Sequence, residues 1–182
     1  MAVITAATIK ELRELTSAGM MECKRALEEC GGDFDKAKDI LRQRGLEIAA
    51  KKSSRQAKEG RIEVYVHPGN KNVAMVELNC ETDFVAKNEE FCKLAKDIAM
   101  QIVAMSPKYI RAEDVPADEL SGQENQKEYI QQVCLLENAF IKDPSKKIGD
   151  LITALIAKTG ENMSIGRFTR YKVGEIESTT GV

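Results

Sequence analysis

The sequence is poor in the residue types on which most catalytic sites depend. Its 182 residues include no tryptophan, four prolines and a single histidine, His67. One histidine leaves no recognisable zinc set, because the five cysteines contain no C-x-x-C pair. A Cys-His or Ser-His catalytic pair would have to use His67, and no neighbouring motif favours that chemistry. We interpret His67 as a polar strand end.

The motifs of nucleotide-binding and serine-hydrolase sites are also missing. The chain has neither a G-x-x-x-x-G-K-[ST] phosphate loop nor a G-x-S-x-G nucleophile elbow. We therefore predict no enzymatic covalent chemistry and no cofactor. Any role in nucleotide chemistry would have to be exerted through a partner.

Long apolar runs and excess charge are missing as well. No apolar stretch approaches the roughly 20 residues of a membrane helix, and the first seven residues do not read as a signal peptide. The net charge of -2 argues against a dedicated nucleic-acid binder. We expect a cytoplasmic protein that contacts neither membrane nor nucleic acid directly.

Five cysteines remain to be explained. We expect all of them to be reduced thiols, buried or half-buried as small hydrophobic groups. A reactive thiol in a small enzyme is the rival interpretation, which labelling kinetics would test. One thiol could also line a dimer interface, and the sequence does not select which. The five are Cys23, Cys30, Cys80, Cys92 and Cys134.

The first fifty residues predict three short helices. Thr5 is placed to cap the first helix and Asp33 to cap the third, while Gly31 and Gly32 end the second. We expect Gly45 to end the third helix. The predicted inner positions, at helical spacing, are Ile9, Leu12, Leu15, Met20, Cys23, Leu27, Phe34, Ala37 and Leu41.

A basic stretch from residue 46 to residue 60 separates this unit from a region of period two. We interpret the stretch as a solvated linker, helical at first, in preference to a nucleic-acid tail. Ile62, Val64 and Val66 then alternate with polar residues, and a turn at 68–70 leads to a second strand. These runs predict a β-hairpin with one face on a core.

The remaining chain predicts helices that cover a sheet. Asn88 is placed to cap a helix whose apolar stripe runs from Phe91 to Ile102. Two more helices are expected, one carrying Tyr129, Val133, Leu136 and Phe140, the other Ile148 to Leu155. A final strand from 162 to 173 changes face near Phe168, which indicates a bulge or a two-sided strand. The fold class is therefore α+β, with a helix-covered three-stranded antiparallel sheet.

Residues 82–91, with the sequence TDFVAKNEEF, form what we call the signature segment. It places Asp83 and Phe84 side by side at a strand-to-helix junction. In the ordinary interpretation Thr82 caps a helix and Phe84 folds back onto the core. Alternatively, Phe84 is exposed and presses into a partner while the carboxylate of Asp83 disturbs a polar or metal site there.

The signature segment resembles that of the elongation factor Ts family. Residues 9–27 (IKELRELTSAGMMECKRAL) resemble the opening motif of this family, and residues 157–175 resemble its closing block. The three blocks occur in the order typical of the family and span nearly the whole chain. The length is similar to that of the short form with one core lobe, and the N-terminal helices resemble the ubiquitin-associated fold.

The resemblance implies a guanine-nucleotide exchange factor for elongation factor Tu. Phe84 would wedge between partner side chains near the magnesium and nucleotide site, and Asp83 would hold the displaced arrangement, flanked by Thr82 and Val85. The N-terminal module would dock on the same GTPase domain. Its contact residues would be Arg13, Met20, Met21, Lys24 and Lys52.

The resemblance also implies a homodimer that pairs through the core lobe. We predict two domains, a docking module with linker at 1–54 and an α+β lobe at 55–182. Asn138-Ala139 and Gly166 depart from what relatives commonly have at those positions. An adaptor with a peptide- or ubiquitin-binding helical module is the alternative, but it leaves the junction at Asp83 and Phe84 unexplained.

Overall fold

The computed structural model describes residues 4–16, 18–175 and 179–181. Within these ranges it contains eight α-helices, two short 3-10 turns and six strands. The helices are α1 (Ala6–Thr16), α2 (Met20–Glu29), α3 (Phe34–Lys52), α4 (Asp83–Ala86), α5 (Glu89–Met105), α6 (Ala117–Ser121), α7 (Gln126–Val133) and α8 (Ile148–Thr159). The strands are β1 (Glu59–Val66), β2 (Asn72–Cys80), β3 (Ala139–Phe140), β4 (Asp143–Lys147), β5 (Met163–Lys172) and β6 (Thr179–Gly181).

The chain divides into two compact units. One comprises Met1–Gln56 with Thr153–Asn162, and the other comprises Ala57–Ile152 with Met163–Val182. The first unit is helical and the second holds both sheets, so the predicted α+β class is confirmed.

The helical unit is built around a small apolar core. Thr5 Oγ1 accepts from the amide of Thr8, and Asp33 Oδ1 accepts from the amide of Lys36, so both predicted caps are confirmed. Of the predicted inner residues, Leu15 and Met20 are exposed instead. The buried core consists of Leu12, Cys23, Ala26, Leu27, Ala37 and Leu41.

Helix α3 does not end at Gly45, and that prediction is wrong. Gly45 is a buried residue within the helix, which continues to Lys52, and a Cβ there would lie at an ordinary contact distance of 3.5 Å from Thr153 Cγ2. Beyond it, Asn162 Nδ2 donates to the carbonyl of Arg55 at 2.7 Å. The basic linker is therefore helical as far as Lys52 and is held again at Arg55.

The main sheet is antiparallel, with strand order β1-β2-β5-β6. Its first three strands are the predicted three-stranded sheet, and β6 adds a short fourth strand beside β5. Between Glu77 and Leu78 of β2 the register of β5 shifts and skips Gly166. The predicted bulge is thus present, and it explains why Phe168 and Ile165 can both be buried.

Helix α5 covers one face of this sheet, along β1 and β2. All six predicted stripe residues of α5, from Phe91 to Ile102, are buried. The face of β1 that meets the core carries Arg61, Glu63 and Tyr65, since these pair with the buried residues Leu78, Val76 and Ala74.

The opposite face of the sheet is apolar and uncovered. We call it the open sheet face and define it by five exposed residues: Ile62, Val64, Val66, Met75 and Tyr171. The alternation of β1 was read correctly, but its apolar side is not the core side. A single strand does not reveal which of its faces the sheet will cover.

The segment between α5 and α8 is more broken than predicted. Helix α7 ends at Val133, so Leu136 lies in a 3-10 turn and Phe140 in the β3–β4 hairpin. Gln101 of α5 donates to Ala139 O and accepts from the amide of Ile141, which fixes the hairpin against the helix. The periodicity of the sequence predicted that the helix would extend to Phe140. Instead, the backbone around Phe140 forms hydrogen bonds with the buried side-chain amide of Gln101.

Candidate protein-binding site

The signature segment begins where β2 ends and is held by caps at two successive helices. Thr82 Oγ1 accepts from the amide of Val85 at 3.4 Å and begins α4. Asn88 Oδ1 accepts from the amide of Glu90 at 2.8 Å and begins α5. Because both helix starts are capped by side chains within the segment, local chemistry encodes this turn-helix-turn-helix path.

Phe84 is the most exposed large apolar side chain recorded in the described chain, with 83% of its surface accessible. Its neighbours on α4 are less exposed, since Ala86 is buried and Val85 is half-buried. Phe91, seven residues later, is fully buried under α5. The ordinary interpretation of Phe84 as a core residue is therefore wrong, because Ala86 and Phe91 fill the inner positions instead.

Asp83 lies beside Phe84 in the first turn of α4. Its Oδ2 accepts from Lys87 Nζ at 2.6 Å across one helical turn. The hydrogen bond from Lys87 lowers the pKa of Asp83 below its ordinary value, and Asp83 in turn raises the pKa of Lys87. The carboxylate is thus ionised at neutral pH, and its partner is exposed and can be exchanged for another cation.

Lys87 was not among the predicted site residues, although its spacing from Asp83 was readable in the sequence. An acidic residue four positions before a lysine is the favourable order for a pair on one helix face. The structure thus brings together a ring and a carboxylate on α4 and an ammonium on Lys87, the residue that follows it. Such a surface can insert an apolar group next to charged groups of a partner.

The N-terminal candidates lie in the helical unit and are largely exposed. Met20 and Met21 are exposed at 45% and 59%, although the sequence assigned Met20 to an inner position. Arg13 is exposed, Lys24 pairs with Glu28 at 3.7 Å, and Lys52 is half-buried. Leu15, which the sequence assigned to the core, is a further exposed apolar residue of this unit.

The thiols behave as expected from composition. Cys23, Cys80 and Cys134 are buried, Cys30 and Cys92 are half-buried, and none of these five described residues forms a disulfide. Burial raises the pKa of Cys134 to about 11 and that of Cys23 above its ordinary value, which disfavours the reactive thiolate at these two positions.

The described ranges contain neither a cluster of metal-ligating side chains nor a helix suited to a membrane. Across residues 4–16, 18–175 and 179–181, no three His, Cys, Asp or Glu side chains cluster in a way that could hold a metal ion. In the same part of the chain, no helix combines the length and apolarity needed to cross a bilayer.

The chain is similar in sequence to one family of known proteins along most of its length. Residues 5–127 match the family model described as Elongation factor TS. Elongation factor Ts of Thermodesulfovibrio yellowstonii is 51% identical, and the match covers 96% of this chain and 98% of that protein. Elongation factor Ts of Carboxydothermus hydrogenoformans is 47% identical, with 95% and 90% covered. That of Herpetosiphon aurantiacus is 49% identical, with 91% and 96% covered.

Proposed function

The chain belongs to the elongation factor Ts family, and we propose that it is a guanine-nucleotide exchange factor for elongation factor Tu in translation elongation. The family membership supports a role in translation elongation, in the cytoplasm. The observation that carries the specific activity is the exposed ring of Phe84 on a helix that is capped and backed by the core. An apolar ring held out in this way favours insertion into a partner.

The proposed mechanism uses Asp83 and Phe84 of α4, with Lys87 directly after it, on a site that belongs to the partner. Phe84 wedges between partner side chains, and Asp83 stabilises the arrangement that results, with Thr82 and Val85 maintaining the helix start. The magnesium ion of elongation factor Tu neutralises nucleotide phosphate charge, so disturbing its contacts weakens GDP binding. Lys87 offers a cation next to Asp83 that a partner group can replace.

The energetics of exchange are a matter of linkage. If binding of this protein weakens nucleotide binding to elongation factor Tu by a given ratio, nucleotide binding weakens the binding of this protein by the same ratio. Turnover therefore requires that the complex loosen when a new nucleotide binds. The protein acts as a catalyst of dissociation without a covalent step, which agrees with its lack of a nucleophile motif.

The helical unit supplies the second proposed contact. Met20 and Met21 expose flexible thioethers, which adapt well to protein surfaces. Arg13 and Lys24 add positive charge on the same unit, and Lys52 lies at the end of α3. We assign this surface to docking on the GTPase domain, with 1–54 acting as the docking module and 55–182 as the exchange lobe.

We also propose that two copies pair through the open sheet face. Its residues are aliphatic, aromatic or, at Met75, a thioether, and they lie on one side of three paired strands, an apolar arrangement that a monomer would leave in water. Glu77 and Arg167 form an ion pair on the same face at 2.9 Å. A two-fold axis can set this pair against its own copy with opposite charges facing, as a self-complementary interface requires.

The dimer is tested by changing the centre of the open sheet face. Val64 lies opposite Met75, so Val64→Lys places a charge in the middle of the interface. We expect wild type to sediment as a dimer and the variant as a folded monomer. The control is Ile141→Lys, an exposed apolar residue outside this face. A monomeric wild type at micromolar concentration would contradict the pairing.

The exchange activity is tested by release of a fluorescent GDP analogue from elongation factor Tu. A substoichiometric amount of this protein should accelerate release of many equivalents of nucleotide. Stoichiometric release without turnover, or no acceleration by the folded protein, would rule out the proposed function.

A further inference from the structure

Helix α4 has only four residues and cannot hold its own geometry. Nucleating one turn of helix is unfavourable, and a helix of this length has no stability apart from its contacts. Yet the exposed ring of Phe84 is useful to an exchange factor only if α4 presents it in one orientation. The surrounding structure must therefore supply the rigidity.

The thiols of Cys80 and Cys92 form hydrogen bonds to backbone carbonyls at the two ends of α4. At the start, Cys80 Sγ donates to the carbonyl of Thr82 at 3.1 Å. At the end, Cys92 Sγ donates to the carbonyl of Ala86 at 3.6 Å. The carbonyls of a helix's last turn have no partner inside the helix, so the thiol of Cys92 satisfies one that α4 leaves open.

Arg61 holds the second of these thiols in place. Its Nη1 donates to Cys92 Sγ, while its Nη2 pairs with Glu63 Oε2 at 2.7 Å. The planar guanidinium is thus fixed at two points on the edge strand β1. Because Arg61 occupies the acceptor side of the sulfur, the thiol proton is directed toward Ala86.

Resting on the exchange function proposed above, we propose that Cys92 and Arg61 are positioning residues for Phe84. The chain of contacts runs from β1 through the first turn of α5 to the end of α4. It makes the ring's orientation depend on a tertiary contact between residues 31 positions apart. Neither residue touches the partner in this account; both act through α4.

The first test is removal of the thiol by Cys92→Ala. We expect kcat for catalysed GDP release to fall roughly three- to tenfold, in keeping with the loss of the hydrogen bond that the thiol donates to Ala86 O, while KM for elongation factor Tu stays within about twofold. Amide hydrogen exchange of Ala86 and Lys87 should accelerate, while that of Ile98 inside α5 should not. Cys92→Ser keeps a donor and an acceptor and should recover most of the rate. The matched control is Cys134→Ala, which removes a thiol that bonds Arg111 O.

A double-mutant cycle then asks whether Cys92 acts through the ring. In a Phe84→Ala background, Cys92→Ala should cause no further loss of kcat, because the group it positions is gone. An equal loss in both backgrounds would overturn the inference, and so would wild-type kcat or unchanged exchange of the α4 amides in Cys92→Ala. If wild type itself fails to catalyse release, the proposed function fails, and the amide exchange data still decide whether Cys92 orders α4.

Discussion

Removal of the ring of Phe84 is the perturbation that separates function from folding most cleanly. The side chain is 83% exposed, so Phe84→Ala removes few intramolecular contacts. Surface substitutions of this kind usually change the free energy of unfolding by less than about 0.5 kcal/mol. We expect the variant to retain the fold and thermal midpoint of wild type.

The effect on exchange can be worked from the exposed area. An aromatic side chain offers on the order of 200 Å², and at about 25 cal/mol per Å² burial of its exposed 83% is worth at most about 4 kcal/mol. If half of this is realised when the ring inserts, the loss is about 2 kcal/mol, or roughly thirtyfold in rate. We therefore expect the catalysed rate of GDP release to fall at least about tenfold.

The assay is catalysed release of a fluorescent GDP analogue from elongation factor Tu, with kcat and KM measured separately. Phe84→Leu should recover part of the rate, since it restores apolar area without the ring. Met105→Ala, at the far end of α5, serves as a control for loss of an exposed apolar side chain. Wild-type kcat in a folded Phe84→Ala protein would refute the reasoning.

Three further predictions concern charge and backbone. Lys87→Ala should raise the pKa of Asp83 toward its ordinary value, measured by carboxyl NMR titration, because the hydrogen bond from Lys87 is the first cause of its depression; an unchanged pKa would contradict the pairing. Glu119 accepts from Tyr109, Tyr129 and Lys108, and these bonds lower its pKa to about 2. Its contribution to stability is therefore present above pH of about 4.5 and lost as pH falls toward about 2. The difference in melting temperature between wild type and Glu119→Gln should vanish at that acidic end, and a constant difference would show that the titration is not involved. Gly60→Ala should destabilise by about 2–3 kcal/mol in urea unfolding, because φ is 150° and the added Cβ would lie 2.3 Å from Leu78 O; a neutral effect would mean that β1 can shift.

Much of the fold was readable from local signals. The caps at Thr5, Asp33 and Asn88 and the apolar stripe of α5 were predicted residue by residue. These signals depend on contacts within a few positions of the chain, which is why sequence suffices for them. The bulge in β5 was visible as a change of face near Phe168.

The failures share one physical origin. Gly45 looked like a helix end but is buried inside α3, where it faces Thr153. Phe140 looked like the last residue of a helical stripe but lies in a hairpin that Gln101 holds. In each case a partner more than 35 positions away in the sequence overrides the local preference.

The same distinction between local and long-range contacts applies to the candidate site. Motif, period and cap are local patterns, so the sequence alone was enough to predict the family and the α+β class and to suggest Thr82 to Val85 as site residues. Only the tertiary structure decided that Phe84 points outward, that the apolar side of β1 is the open sheet face, and that Arg61 reaches Cys92. The reason is that exposure and long-range contact are set by which faces pack together, and packing depends on all the elements at once.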